Sequence, residues 1–367
     1  MTHVADMLTV GDPLADAVMA ELERLGTRGR EALDQGLADG LGSLREPPPA
    51  VRALLHQLEQ RPDWILDADL ADGDRATQAI PQPWDVIAFA AVSMTYVYAS
   101  PAIAELLMYT GELATSAAPR RLAETGAWRS AVVLPGGLER GAPGYLATAR
   151  VRLMHARVRA KALRDGWNVE RRGLPINQAD LARTWLAFTI VPFRCLSDVL
   201  GIGLGDAEEQ QLYRYWRHIG GLLGVGEAVI AQVQSHADAV KLLEQLETTT
   251  EQPDDNSRTL TAALFAATSE GLARVPVPAM SAAAWRDLLG ATARASLGDV
   301  MADGLGIPGT AVGEFLPLIA QGLASARQVQ LTNPEEGERA RQRHIAIRRQ
   351  RTAPAPAPAP AQERSMA

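Results

Sequence analysis

The sequence predicts an all-α protein with a single main domain, and three observations carry that reading. Apolar residues recur at the three-and-four spacing of a helix along most of the chain. No alternation of strand and helix signals marks βαβ units, and no repeat of roughly 20 to 50 residues is present. The 367 residues are 47% hydrophobic, enough for a substantial core. The expected division is a helical domain over 1–330, a charged helical extension over 331–351 and a disordered tail over 352–367.

Taken in order, Leu8 to Gly42 reads as one or two Ala/Leu-rich helices, with Asp12 as N-cap and Pro13 at the first helical position. Pro47, Pro48 and Pro49 interrupt the pattern before a helix from Val51 to Glu59, and DADLADGD at Asp67 to Asp74 reads as an acidic loop. The long uncharged run Val86 to Ala104 contains Ser93, Thr95, Tyr96, Ser100 and Pro101 and lacks cationic flanks. It predicts a buried central helix ended or kinked at Pro101, not a membrane span. RRLAETG leads into WRSAVVLPGG, which reads as a loop with a short strand.

Gly144 to Leu163 predicts a helix with two polar stripes. At about 100° per residue, Thr148, Arg152, His155 and Arg159 fall on one edge and Arg150, Arg157 and Lys161 on the opposite one, with apolar bands between. Packing both bands leaves only one stripe for bulk water. The buried row must then meet protein carboxylates or the acidic groups of a cofactor, unless its long side chains snorkel to the surface.

Asn177 caps the next helix, on which Leu181, Trp185 and Phe188 repeat, and Pro192 disturbs it. Asp206 to Gly224 is helical after a glycine-punctuated loop, and further helices are expected at Ala228 to Thr248, Ser257 to Leu272, Ala282 to Leu297 and Val312 to Ser325. Glu335 to Arg351 reads as a charged, frayed helix. Beyond it, APAPAPAPA is low-complexity and extended.

Several function classes are disfavoured at this point. The 36 basic and 43 acidic residues are intermixed, for a formal charge of −7, so no cationic field recruits nucleic acid. A single cysteine, Cys195, excludes intramolecular disulfides and multi-cysteine metal motifs, and its apolar setting predicts an inert buried thiol. The acidic N-terminus lacks a signal-peptide pattern, so a reducing cytoplasm is the expected compartment. Compact zinc and di-iron spacings, a dinucleotide-binding fingerprint, a phosphate-loop lysine and a serine-nucleophile elbow are all missing.

Of six histidines, His3 and His344 fall in a flexible start and among exposed arginines, and His56 and His236 on helix surfaces. His155 and His218 remain. His218 borders an apolar face beside Gly220, Gly221 and Gly224, where either close helix packing or a flat ligand, with His218 as a metal ligand, would explain the pattern.

DPLADAVMAEL, RRLAETGAW, the PGG turn, VRLMHARVR, LPINQADLARTWLAFT and YWRHIGGLLGV occur in an order that resembles the bacterial family of latex clearing protein and mpaB-type oxygenases, over roughly Gly11 to Gln330. The resemblance implies a globin-like helical domain holding non-covalent haem b and using dioxygen. It places haem propionates at Arg152 or Arg159, and His155 toward the iron or its distal oxygen. The family's proximal histidine falls near Leu186 and a second common histidine on Gly221, so His155 or His218 must ligate iron, or haem has been lost. The expected function is a haem-dependent oxidoreductase, an oxygenase acting on a hydrophobic small molecule other than rubber. Arg152 or His155 would stabilise bound oxygen, with Glu139 and Glu124 as candidate general bases. The alternative is a haem-free member using the same pocket for ligand binding or a non-redox rearrangement.

Overall fold

Two capped helices open the fold. In the computed structural model, which describes residues 4–78, 80–110, 118–275 and 279–352, α1 (Pro13–Leu25) begins where the sequence places it. The Asp12 carboxylate accepts a hydrogen bond from the Ala15 amide at 3.2 Å, and Pro13 needs no partner for a missing N–H. α2 (Thr27–Asp39) turns back, and α3 (Pro49–Glu59) packs across α1 with Val51, Leu54 and Leu55 fully buried.

The acidic stretch expected as a loop is instead a helix, α4 (Asp67–Gln78). Asp67 and Asp69 lie in its first turn, where the helix dipole favours them. Leu70, Asp74 and Thr77 are buried, so tertiary packing overrides the turn-like composition.

The uncharged run forms a buried rod, Trp84–Tyr98, with a π-helical centre at Ala88–Met94. Ser100 then caps α5 (Pro101–Tyr109), and the two segments meet at 94°, the break expected at Pro101. No single helix among the described residues is long and apolar enough to cross a membrane.

The strand expected in WRSAVVLPGG does not form: the first half of that stretch completes α6 (Ala118–Val132), and the described residues contain no strand. A lone strand would have left its amides without ladder partners, whereas the helix pairs them internally and buries Ser130, Ala131 and Val132.

Next come α7 (Pro143–Arg164), α8 (Gln178–Ala187), capped by Asn177, and α9 (Asp206–Leu222). The helix expected over 228–248 is broken into Glu227–Ile230 and α10 (His236–Glu247), because Ser235 caps the second piece. α11 (Asp255–Ala273), α12 (Ala282–Leu297) and α13 (Leu316–Thr332) follow, close to their expected positions.

α14 (Pro334–Thr352) is docked on α6 and α4 instead of frayed. His344, expected among exposed arginines, is buried, with Nδ1 2.7 Å from the Gln78 carbonyl. Arg348 reaches Asp85 at 3.2 Å, and Arg129 donates to the same carboxylate at 2.5 Å. Burial opposes the Asp85 charge, but the two guanidiniums overcome it and hold the carboxyl far below its usual range. The tail expected to be disordered lies almost wholly outside the described residues.

Where the rod, α6, α8 and α9 converge, the core is aromatic. The rings of Phe188 and Trp216 stack at 6.2 Å, Trp128 meets Phe188 edge-on at 5.5 Å, and Phe89 lies 5.6 Å from Phe188. Trp128 Nε1 donates to the Thr148 hydroxyl at 3.0 Å, tying this cluster to α7.

α4 is fastened to α9 by a buried acid. The Tyr215 hydroxyl lies 2.6 Å from Asp74 Oδ1 and also meets the Val132 carbonyl. A phenol has one proton, so both contacts are hydrogen bonds at once only when Asp74 carries a proton as well. Burial pushes the Asp74 carboxyl up to about 7, against hydrogen bonds from Tyr215 and the Gly136 amide. Because the folded-state value lies above the unfolded one, this group's contribution is fully present below about pH 4 and is lost as pH rises through about 7. Denaturant titrations between pH 5 and 8 are expected to show that Asp74→Asn gains stability relative to the parent chain as pH rises. A difference that does not change with pH would contradict the protonated latch.

Candidate functional site

The two stripes of α7 have different fates. Arg150, Arg157 and Lys161 are exposed, whereas Thr148, Arg152 and Arg159 are buried against α1, α6 and α9. The buried row does not snorkel. It meets protein carboxylates from the first turn of α1.

Arg152 is 4% exposed and makes a two-pronged ion pair, Nε to Asp12 Oδ2 at 2.6 Å and Nη2 to Asp12 Oδ1 at 3.0 Å. Its Nη1 donates to Gln57 Oε1 at 2.6 Å. Planar guanidinium and carboxylate groups match in this arrangement, which strengthens each bond and fixes their orientation. Asp12 thus caps α1 and anchors α7 with the same two oxygens.

Arg159 repeats the solution two turns later. Its Nε donates to Asp16 Oδ1 at 2.9 Å, and Nη1 donates to the carbonyls of Pro175 and Ile176 at 3.3 and 2.5 Å. Burial raises the Asp16 carboxyl, and Arg159 counters part of that rise.

Two glycines make room for these pairs. A Cβ on Gly224, whose φ is +89°, would lie 2.2 Å from Asp12 Oδ2 and 2.8 Å from Arg152 Nε. One on Gly11 would lie 2.7 Å from Arg159 Nε. Gln178, the first residue of α8, closes the arrangement: Nε2 donates to the Gly11 and Gly224 carbonyls at 2.7 and 3.0 Å, and Oε1 accepts from the Gly226 amide at 2.7 Å.

His155 is half-buried on the same edge of α7, with Nδ1 enclosed and unpartnered. Burial first and Arg159 second lower its pKa to about 4. Burial does the same to His218, with a contribution from Arg61, again to about 4. Both imidazoles are neutral at neutral pH. Glu139 is exposed, and Glu124 is exposed and paired with Arg120 at 2.8 Å and Arg121 at 3.1 Å. Cys195 is fully buried, and burial pushes its thiol up to about 12, consistent with the expected inert thiol. No group of three or more histidine, cysteine or acidic side chains among the described residues could hold a metal ion.

A cavity of about 430 Å³ opens beside the Arg152 pair, between the N-terminal segment and the end of α9. Asp12, Gln57, Arg152, Gln178, Gly221 and Gly224 form part of its wall. Met7, Val10, Val225 and Val229 make the rest largely apolar. Arg152 and Gly221, singled out separately in the sequence, thus share one cavity. His155, His218, Glu139 and Leu186 do not line it, and Leu186 is fully buried in the core. Sequence reasoning missed Asp16, Gln57 and Gln178 as site residues and read Asp12 only as a cap. The available signal was the spacing of Asp12 and Asp16 on one helix face, opposite an unpaired arginine row.

Residues 84–328, more than half of the chain, match the family model described as ER-bound oxygenase mpaB/B'/Rubber oxygenase, catalytic domain. The chain belongs to this family. A solved structure of latex clearing protein in its closed state superposes with a TM-score of 0.69 at 18% identity, covering 92% of this chain and 91% of the other. That likeness establishes a shared fold. No curated protein sequence matches.

Gly224→Ala is expected to break the Arg152 pair and cost about 3 kcal/mol, in the range for removing one partner of a buried ion pair. Gly221→Ala should be close to neutral, since its Cβ would meet only Ile230 Cδ1 at 3.5 Å. Urea unfolding of both variants checks the contrast.

Proposed function

We propose that this chain uses the oxygenase-family fold without haem, as a binding site for a small, largely apolar molecule in the cavity beside Arg152. The observation that carries this reading is the pairing of Arg152 with Asp12 in a cavity where Gly221 contributes no side chain.

The donor set does not fit haem b. Haem iron needs an axial donor, and the positions that the resemblance assigns to histidine hold Leu186 and Gly221. His155 and His218 do not line this cavity. Propionates need available cations, yet Arg152 is engaged by Asp12 and Gln57, and Arg159 by Asp16 and two backbone carbonyls, with only its buried Nη2 left unpartnered. The rings of Phe188 and Trp216, stacked on each other, and of Trp128, edge-on to both, pack together where α6, α8 and α9 meet.

What the cavity offers is a rigid apolar wall with one fixed polar edge. The Arg152 guanidinium is committed to Asp12 and Gln57, so it shapes the polar edge of the cavity while the apolar wall carries the binding.

One observation favours the other reading, a haem-dependent oxygenase: the enclosed Nδ1 of His155 has no partner. Expression with haem precursor separates the two. The expected product is folded and colourless, with no Soret band. A Soret band in the parent chain that disappears in His155→Ala or His218→Ala would overturn the proposal and identify the ligand. Binding of the fluorescent apolar probe anilinonaphthalene sulfonate is expected to fall in Gly221→Phe, which fills the cavity, while the far-UV dichroism stays unchanged.

A further inference from the structure

A guanidinium taken out of water needs an anion beside it, and the buried arginines of this fold follow that rule with one exception. Arg152, Arg159, Arg172, Arg183, Arg327 and Arg348 are each at most 7% exposed, and each lies within ion-pair distance of a carboxylate. Arg217, on α9 and 8% exposed, forms no ion pair among the described residues.

Neutral groups hold Arg217 in place. Its Nε donates to the Ile230 carbonyl at 3.2 Å, and its guanidinium carbon lies 4.1 Å from the centre of the Trp64 ring. These contacts fix the plane of the group and leave Nη1 and Nη2 without a hydrogen-bond partner among the described residues. Trp64 Nε1 is enclosed and unpartnered, whereas neither Nη of Arg217 is enclosed, so both keep a small opening to the surface.

The charges that act on Arg217 are those of Glu227 and Arg214. Burial lowers the Arg217 pKa, Glu227 opposes that shift, and Arg214 adds to it. Arg214 is itself paired, with Asp69 at 2.8 Å, as is Arg61 with Asp67. Glu227 is exposed at the head of the turn Glu227–Ile230 and too far away for an ion pair, so water screens its attraction. One cationic fork is left unmatched.

We propose that Arg217 anchors a carboxylate-binding site, its Nη1 and Nη2 donating to the two oxygens of a small organic carboxylate while Trp64 holds the guanidinium plane. A planar fork meeting a planar pair of oxygens is the match already seen between Arg152 and Asp12. Here Nε is occupied by Ile230, so the anion approaches end-on. Arg217 does not line the cavity beside Arg152, so the two sites are separate.

The test uses benzoate, with benzamide and benzylamine as neutral and cationic analogues of similar shape, titrated into the full chain at pH 7 and read by ligand-observed NMR. Benzoate alone of the three is expected to bind, and inorganic phosphate should bind no more tightly. Arg217→Met, which keeps an apolar stem over Trp64, should abolish binding, and Arg217→Lys, which keeps the charge without the fork, should weaken it about tenfold. Glu227→Gln removes an exposed repelling charge and should tighten binding about threefold. Val10→Trp, which narrows the cavity beside Arg152, should leave it unchanged. Failure of benzoate to bind, equal binding by either analogue, tighter binding of phosphate, undiminished binding to Arg217→Met, no gain in Glu227→Gln or loss in Val10→Trp would each overturn the assignment. Dichroism on each variant separates loss of the site from loss of the fold, and Glu227→Gln, at an exposed residue, tests the site even where Arg217→Met does not fold.

Discussion

The ion pair between Arg152 and Asp12 is the constraint around which the site is organised. Burying a guanidinium costs several kcal/mol unless an oppositely charged, well-oriented partner meets it. Asp12 does so with both oxygens while capping α1, so one carboxylate fixes the start of a helix and the position of α7. The turn at Gly224 follows from the same requirement, because any larger residue would occupy the space of the pair. Gln178 then binds both flanking carbonyls, so α8 is aligned by the same knot.

This arrangement redirects a cationic row whose obvious partner, judged by family resemblance, was the acidic edge of haem. The carboxylates that neutralise the arginines come from the chain itself. Membership of the mpaB and rubber-oxygenase family and the fold shared with latex clearing protein stand together with an arginine row whose anionic partners are Asp12 and Asp16. Leu186 lies in the core, Gly221 at the wall of the cavity beside Arg152, and His155 and His218 do not line that cavity.

Buried charge recurs through the molecule, each time with a different solution. Asp85 is held ionised by two arginines, one of them from the C-terminal helix, so an ion pair ties α14 to the start of the rod. Asp74 is pushed toward its protonated form by burial, against hydrogen bonds from Tyr215 and the Gly136 amide. Asp180 has neither an ion pair nor a tyrosine among the described residues, and burial pushes its carboxyl up to about 7. These differences arise from what packs opposite each carboxylate, which is why three aspartates of ordinary sequence context acquire three different chemistries.

The helical class, the cap at Asp12, the break at Pro101 and the two-stripe character of α7 were legible in the residues themselves. Helix periodicity, proline geometry and short-range capping are local properties. The helix at 67–78 and the docked C-terminal helix were not legible, because acidic and basic composition says nothing about a partner distant in sequence. The same limit applied to the site: sequence showed that Arg152 and Arg159 required anionic or hydrogen-bonding company. Whether Asp12 and Asp16 or a cofactor would provide it depended on two helices more than a hundred residues apart coming into contact, and only the packed structure decides that.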